Sequence, residues 1–339
     1  MGGVSSKDTL AIIIPAYKDS FLKETLESLC SQSDRDFNVY IGDDNSPHDL
    51  ESIVRQYYGR LNVRYVRFDN NIGAKSLVSQ WERCVDLMQQ EDWIWLFGDD
   101  DIAESNCVRE FRNSLDSTSR GHDIYSFNTT IIDRHGAIIS TPPVVPVSET
   151  SVDYAYNLLL NKRANCMSDH IFSAAAYKRN GGFIHTDYAQ GADWINTIVL
   201  AKDRGIRHIQ NAVVLWRYSG SNISSLAYTQ KAETIKGFLQ FTQGVLDHFS
   251  YLKDRESSVT FRQMSDAALW NLEFVLTTHY RGIDLRNILP ILFFIKRRFK
   301  RSFWATFKIL VAINSKAPRL RVKNLLHRLP FLLKVRNQT

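Results

Sequence analysis

The chain has 339 residues, 44% of them hydrophobic and 23% charged, which is typical of a folded globular protein and argues against a disordered one. Its four cysteines form no CxxC pair, so the sequence indicates neither a zinc site nor a disulfide framework, and a reducing cytoplasm is the expected compartment. The net charge of +6 is uneven, because residues 285–339 contain 14 Lys and Arg and no Asp or Glu. No apolar run approaches the roughly 18 residues that a membrane-spanning helix needs.

The first third of the chain alternates predicted strands with predicted helices. Apolar and β-branched runs predict buried strands at 10–15, 37–41, 63–68 and 93–97. Helical spacing predicts helices at about 21–29, 50–58 and 74–88, the first with Ser20 as its N-cap. This alternation predicts βαβ units and a parallel sheet.

The rest of the chain is predicted to be mixed and then helical. We expect helices at 108–115, 153–161 and about 190–201, strands at 123–128 and 212–216, an extended segment at 141–146 and a polar loop at 217–225. Helical patterns dominate from 229 to about 280. We therefore divide the chain into a domain at 1–228 and a helical C-terminal region at 229–339.

An acidic triplet, Asp99-Asp100-Asp101, directly follows the fourth predicted strand. In parallel sheets, ligands bind beyond the carboxyl ends of the strands. Three adjacent carboxylates repel one another unless a cation lies among them, and oxygen ligands favour Mg²⁺ or Mn²⁺. The alternative is an exposed acidic turn that caps the next helix.

Two enzyme classes with this kind of sheet are excluded because the chain lacks their sequence motifs. No GxGxxG follows the first strand, and no GxxxxGK[ST] occurs anywhere. The chain therefore carries neither the dinucleotide-binding fingerprint nor a P-loop.

Five short motifs occur in order between residues 10 and 225. They are Ile14-Pro15-Ala16-Tyr17, Ile41-Gly42-Asp43-Asp44-Asn45-Ser46, Asn71-Ile72-Gly73, Phe97-Gly98-Asp99-Asp100-Asp101 and Gly191-Ala192-Asp193. In this order and spacing they resemble the family 2 glycosyltransferases, which have a GT-A fold. The resemblance implies an α/β fold with a mostly parallel central sheet flanked by helices, here followed by a basic helical extension.

The resemblance also implies which residues bind a nucleotide-sugar donor. Pro15, Ala16 and Tyr17 would line the nucleotide pocket, and Asp43 and Asp44 would contact base and ribose. The triplet would be the metal-binding "DXD" equivalent, with Mn²⁺ or Mg²⁺ as cofactor. Gly98 stands where many relatives carry the first aspartate, so the ligand stays open among the three, with Asp100 or Asp101 preferred. Further donor-site candidates are Asn71, Gly73 and Lys75, and also Arg217, Ser219, Asn222 and Ser224, whose loop resembles the family's late polar segment near the diphosphate. Lys75 and the 217–224 loop are equally compatible with an ordinary surface.

Asp193 is the candidate catalytic base by its position at the start of a helix that lies beside the acceptor in this family. Inverting transfer needs a base to accept the proton of the attacking hydroxyl. A helix-start Asp is otherwise an ordinary cap. Trp194, His170 and His185 are acceptor-side candidates, with core packing of the Trp and structural roles for the histidines as alternatives.

The C-terminal tail has an amphipathic pattern. On a helical wheel Leu292, Ile295, Phe299, Phe303, Phe307 and Leu310 form one face, and Arg297, Arg298, Arg301 and Lys308 the other. This pattern favours an interfacial helix on anionic lipid, and packing on the catalytic domain is the alternative. No nucleic-acid motif accompanies the basic stretch, so we expect no nucleic-acid partner.

Taken together, the sequence predicts a cytoplasmic inverting glycosyltransferase, peripheral on the inner face of the cell membrane. We expect a UDP-, GDP- or dTDP-sugar donor and a lipid-linked glycan acceptor, as in bacterial surface polysaccharide or O-antigen synthesis. The alternatives are a metal-dependent nucleotidyltransferase or pyrophosphatase, and a noncatalytic nucleotide-sugar-binding subunit.

Overall fold

A computed structural model describes residues 8–116, 121–143, 145–163, 165–220, 222, 231–279 and 285–300. Its strands are β1 (Leu10–Ala16), β2 (Asn38–Asp43), β3 (Val63–Arg67), β4 (Trp93–Leu96), β5 (Ile102–Ala103), β6 (Ile124–Asp133), β7 (Ile138–Ser140), β8 (Ser148–Glu149), β9 (His170–Ser173) and β10 (Ile206–Tyr218). Its α-helices are α1 (Leu22–Cys30), α2 (Leu50–Arg55), α3 (Leu77–Val85), α4 (Cys107–Asp116), α5 (Ser151–Leu159), α6 (Ala174–Asn180), α7 (Ala192–Leu200), α8 (Lys231–His248), α9 (Phe261–His279) and α10 (Leu285–Phe299). Short 3-10 helices lie at Met167–Asp169, Asp187–Ala189 and Phe249–Lys253.

All ten described strands belong to one mixed sheet, in which eight have the order β3-β2-β1-β4-β9-β6-β10-β5, β7 pairs with β6, and β8 pairs with β10. The half from β3 to β4 is parallel, as predicted. Strand β9 is antiparallel to both of its neighbours, β4 and β6, while β10 runs parallel to β6. The carboxyl ends of β1, β2, β4 and β10 therefore meet at one edge of the sheet, where the amino end of β9 also lies.

Helices cover both faces of the sheet. Along β1, Ile12 and Ile14 join a core cluster with α1, α2 and α4, whereas Ala11 and Ile13 join a second cluster with α3, α5 and α7. This alternation is the two-residue period of a strand buried on both sides. The sheet is therefore a rigid platform for the loops at its carboxyl edge.

Several element boundaries differ from the predictions. Helix α1 begins at Leu22, and its N-cap is Phe21 with no side-chain cap hydrogen bond, so the predicted cap at Ser20 was wrong. Helix α3 begins three residues later than expected, because the Ser76 hydroxyl accepts from the Ser79 N–H and caps it there. Strand β9 and helix α6 were not predicted. Strand β9 is a four-residue segment formed by its pairing with β4 and β6.

The C-terminal helices pack on the same core. Phe241 and Val245 of α8 and Met264 of α9 belong to the cluster that contains Ile13 of β1. The division of the chain at residue 228 stays a prediction, since 223–230 lie outside the described residues.

Helix α10 packs on α8 and α9 through Ile291 and Ile295, which are fully buried. Ile295 was assigned to the lipid-facing arc of the tail, so within the described residues part of that arc is covered by protein instead. Leu289 and Phe293 are 63% and 67% exposed. Residues 301–339, with the rest of the predicted amphipathic face, lie outside the described range. None of the described helices combines the length and apolarity that crossing a bilayer requires.

Candidate active site

The acidic triplet lies in the loop that follows β4, at the edge where the parallel strands end. All three side chains are buried, with exposures of 2–5%. The Asp99 carboxylate accepts the backbone N–H groups of Tyr17 and Lys18, each at 2.9 Å, and thereby ties the loop after β4 to the loop after β1. Because these contacts are buried, the triplet is not an exposed acidic turn.

A cation of the chain itself lies against the triplet. The Lys18 ammonium is 2.5 Å from Oδ2 of Asp100 and 3.2 Å from Oδ1 of Asp99. Burial lowers the pKa of Lys18, but the two carboxylates outweigh it and hold that pKa above its ordinary value. The repulsion that the sequence implied is therefore relieved by a lysine that the sequence analysis did not single out.

Asp101 has no free carboxylate oxygen. Its Oδ2 accepts the Ser168 hydroxyl at 2.5 Å, and its Oδ1 accepts the backbone N–H of Arg217 at 2.9 Å. Burial and the neighbouring Asp100 carboxylate raise the pKa of Asp101 to about 7. A Cβ on Gly98 would lie 2.7 Å from Oδ2 of Asp101. A side chain at position 98 would therefore force the Asp101 carboxylate, which Ser168 and Arg217 hold, to shift.

No three His, Cys, Asp or Glu side chains converge as a ready-made metal centre in the part of the chain that the structure describes. Carboxylate oxygens are the ligand type that a hard cation takes, and the two oxygens of Asp100 differ in how they are engaged. Its Oδ2 accepts Lys18, and more distantly Ser219 and Asn222 at 3.3 Å. Its Oδ1 accepts no hydrogen bond from any described residue. Each oxygen of Asp101 accepts one hydrogen bond from protein, whereas Oδ1 of Asp100 accepts none from a described residue, and which aspartate would bind a metal stays a prediction.

Arg217, predicted to face the diphosphate, has its guanidinium inside the protein, with 1% of the residue exposed. Its Nε donates to the Asp100 carbonyl at 2.9 Å, and an NH₂ group lies 2.7 Å from Oε2 of Glu24. The guanidinium also stacks 4.3 Å from the Phe21 ring. In this arrangement Arg217 holds the acidic loop against α1, and its direct contact with a diphosphate stays a prediction. Ser224 lies outside the described residues.

On the predicted nucleotide side, Asp43 and Asp44 are buried and bonded to protein. Asp43 accepts the Tyr65 hydroxyl at 2.5 Å and Arg67 at 3.1 Å. Asp44 accepts the backbone N–H groups of Ile72 and Gly73, each at 2.9 Å, and Arg83 at 2.5 Å. A Cβ on Gly73 would lie 2.4 Å from Oδ2 of Asp44, so this close approach requires glycine. Both carboxylates thus position the loops of this side, and their contact with base and ribose stays a prediction.

The other donor-site candidates divide between buried and open positions. Tyr17 is 42% exposed at this edge, while Ala16 is fully buried behind it and Pro15 is half-buried. The Asn71 side chain accepts from the Ala74 N–H at 3.0 Å and shapes the turn before α3. Lys75 is exposed on that turn. Of this set, Tyr17 and Lys75 are open to an incoming ligand.

Asp193 is the second residue of α7, and Gly191, with a positive φ of 67°, is the N-cap of that helix. Its carboxylate is half-buried and accepts the Trp194 N–H at 3.0 Å. Burial is the main cause that raises the pKa of Asp193 to about 7. A carboxylate with that pKa can accept a proton near neutral pH, as a general base must.

A half-buried cysteine, Cys166, is within electrostatic range of both the acidic loop and Asp193. The pKa of the Cys166 thiol is raised first by burial and then by nearby carboxylates, which include those of Asp101 and Asp193. Ser168, two residues further on, contacts Asp101 directly. The segment before β9 therefore connects the two predicted halves of the site.

The side chains of the three acceptor-side candidates contact other residues of the protein. Trp194 packs edge-on against Phe241, with 5.6 Å between ring centroids. His170 is buried and pairs with Asp169. Burial works to lower the pKa of His170, but Asp169 outweighs it and holds that pKa above its ordinary value. His185 is exposed and lies 2.8 Å from Glu82.

Sequence reasoning missed Lys18, Ser168 and Asp169. The sequence could have indicated Lys18, since this residue directly follows the Pro15–Tyr17 motif. Ser168 and Asp169 had none, because β9 brings them to the site from a distant part of the chain. The sheet order and the acidic loop at its carboxyl edge agree with the GT-A fold that the motifs predicted.

Residues 11–179 of the chain match the model of glycosyl transferase family 2. The resemblance of its motifs to that family is confirmed. Chondroitin synthase of Escherichia coli is 42% identical over 62 residues, which cover 18% of this chain and 9% of that protein. Validoxylamine A glucosyltransferase of Streptomyces hygroscopicus subsp. limoneus is 36% identical over 77 residues, 22% of this chain and 17% of that protein. The matches thus span less than a fifth of these relatives.

Solved structures share the fold at low sequence identity. TarS 1-349 of S. aureus, in complex with UDP-GlcNAc, superposes with a TM-score of 0.62 at 14% identity, covering 86% of this chain and 81% of that one. The mannosyltransferase PcManGT of Pyrobaculum calidifontis, in complex with GDP-Man and Mn²⁺, superposes with a TM-score of 0.50 at 14% identity, covering 96% and 89%. The predicted GT-A fold is confirmed by these likenesses.

Proposed function

We propose that the chain transfers one sugar, with inversion, from a UDP-, GDP- or dTDP-sugar to a hydroxyl of a glycan acceptor. The observation that carries this proposal is the buried acidic triplet at the carboxyl edge of the sheet, with the Asp193 carboxylate and the triplet both within electrostatic range of Cys166. Burial also raises the pKa of Asp193 to about 7. Asp193 would accept the proton of the attacking hydroxyl, and its burial supplies the basicity that this step needs.

The residues of the acidic loop would bind the diphosphate group of the nucleotide-sugar donor. When bound, a Mn²⁺ or Mg²⁺ ion supplies positive charge that favours departure of the diphosphate. Asp100, with its unengaged Oδ1, would hold the ion together with Asp99, and Lys18 would then release Asp100. Tyr17, exposed at the same edge, would cover the nucleotide.

The acceptor proposed here is lipid-linked, as in bacterial surface polysaccharide or O-antigen synthesis, at the cytoplasmic face of the membrane. Two observations support membrane association. Leu289 and Phe293 are exposed one turn apart on α10, and Lys296 and Arg297 are exposed beside them. The 14 basic and no acidic residues of 285–339 would also attract anionic lipid.

The test of the reaction is product analysis with a panel of UDP-, GDP- and dTDP-sugars and a lipid-linked glycan acceptor, each with Mn²⁺ or with a chelator. We expect one donor to yield a glycoside and free nucleoside diphosphate. Asp193→Asn should lose turnover but retain binding of that nucleotide. Sugar 1-phosphate as product would instead indicate the nucleotidyltransferase or pyrophosphatase. Full activity of Asp193→Asn would refute the assigned base.

The test of membrane association is flotation with vesicles of neutral lipid, with and without anionic lipid. We expect binding only to the anionic vesicles, and a loss of most of it in the double variant Leu289→Ser, Phe293→Ser. Ile138→Ser is the control, because Ile138 is 70% exposed and belongs to strand β7 instead of the basic helix. Equal binding by the double variant and the control would refute this role of α10.

A further inference from the structure

The loop that leads into Asp193 has an unfavourable backbone conformation. Tyr188 and Ala189 have φ of 55° and 51°, and Gly191 follows with φ of 67°. Consecutive non-glycine residues in the left-handed region are rare, and they persist only where the surroundings hold them. Something outside residues 184–191 must therefore fix this loop.

Helix α8 holds the loop at Asp187. The Asp187 N–H donates to the Gln240 side-chain oxygen at 2.6 Å, and the Gln240 amide donates back to the Asp187 carboxylate at 3.0 Å. Lys236 adds an ion pair at 2.5 Å. We call Asp187, Lys236, Gly237 and Gln240 the α8 clamp.

Glycine at position 237 allows this close approach. A Cβ there would lie 2.1 Å from the Asp187 carbonyl oxygen and 2.9 Å from Cβ of Gln190. The first contact is with backbone, which cannot yield as the end of a flexible side chain can. Glycine inside a helix costs about 1 kcal/mol relative to alanine. A helix interior therefore retains a destabilising residue at the point where it meets the loop.

The same helix contacts the next part of the loop. A Cβ on Gly191, the N-cap of α7, would lie 2.8 Å from the Phe241 ring, and that ring also packs on Trp194. On the other side, Asn196 of α7 exchanges hydrogen bonds with the backbone of Ile184 at 2.7 and 3.0 Å. The loop is thus fixed at both ends. It leads through Ala192 directly into Asp193.

We propose that the α8 clamp is a positioning device for Asp193. This proposal rests on the proposed function, since it takes Asp193 to be the catalytic base. The residues it assigns position that base and do not touch the substrate. Gly237 and Gln240 fix the loop, and the half-exposed ion pair of Lys236 adds little, because solvent screens it.

The test compares Gly237→Ala with Gly244→Ala in the same helix. The two changes add the same methyl and the same helix propensity, but a Cβ at Gly244 would be 3.4 Å from Ile195, an ordinary contact. Hydrogen exchange should rise at least tenfold in peptides that cover 184–193 of Gly237→Ala and stay unchanged in Gly244→Ala. Donor turnover should fall at least tenfold in Gly237→Ala only, with nucleotide affinity within twofold of wild type in both.

Gln240→Leu is the second variant, since it removes both hydrogen bonds without adding an overlap, and it should change exchange and turnover in the same direction. Unchanged exchange at 184–193 in Gly237→Ala would overturn the clamp. Raised exchange with turnover equal to that of Gly244→Ala would overturn its role in placing Asp193. If wild type turns over no donor, the proposed function fails, while the exchange measurement still decides whether α8 fixes the loop.

Discussion

The carboxyl group of Asp193 can be titrated through its effect on stability, without any substrate. Burial raises its pKa from 3.8 to about 7 in the folded chain. Between these two values the unfolded chain is ionised and the folded chain is protonated, so the wild type loses stability as pH rises through the interval. Above pH 7 both states are ionised, and the penalty is constant. Asparagine is neutral throughout and escapes this penalty.

We therefore expect the stability of Asp193→Asn relative to wild type to increase from pH 4 to pH 7 and then level off. The full shift corresponds to about 4 kcal/mol, and water at the half-buried carboxylate reduces it to about 2 kcal/mol. Urea unfolding at one-unit pH steps measures the difference. Asp254→Asn, at an exposed position, controls for the loss of one negative charge. A difference independent of pH would refute the raised pKa, and with it the basis for assigning Asp193 as base.

Three further changes test the donor side. Arg217→Met should lower the free energy of unfolding by about 3 kcal/mol, because Glu24 and the buried Asp100 carbonyl lose their hydrogen-bond donor. Urea unfolding measures this free energy, and a decrease of less than about 1 kcal/mol would contradict the prediction. Gly98→Ala places a Cβ 2.7 Å from Asp101 and should weaken nucleotide binding about tenfold by calorimetry, whereas unchanged affinity would exclude the acidic loop from that site. Lys18→Met removes the ammonium that competes with a metal ion for Asp100, so it should tighten Mn²⁺ binding about tenfold. Electron paramagnetic resonance measures this affinity, and weaker binding would show that Lys18 helps to hold the ion.

The parallel half of the sheet was predictable because its signals are local. Continuous apolar runs end in polar turns at the same edge, and such runs form strands that are buried on both faces. The acidic loop could be located for the same reason, since it directly follows a recognisable strand, whereas Asp193 was proposed as base from the family resemblance and its role stays a prediction. Strand β9 was missed, because four residues after a polar stretch carry no periodic signal and are ordered by their two neighbours.

The role of several site residues depended on contacts that no local pattern contains. Arg217 looked like a phosphate ligand in a polar loop, but Glu24, 193 residues earlier in the chain, and the Phe21 ring hold it inside the protein. Asp101 looked as suitable for a metal as Asp100, and only the Ser168 hydroxyl and the Arg217 N–H distinguish them. Each of these partners reaches the site through the sheet order.

The sequence by itself determined the fold class, the family and the position of the acidic loop, because these depend on the order of short motifs and on the hydrophobic period of single elements. Only the tertiary structure decided which charges meet. The Lys18 ammonium neutralises Asp99 and Asp100, and burial alters the pKa of Asp193. Interaction energies between charges depend on distance and on exclusion of water, and both are properties of the packed chain rather than of its sequence neighbours.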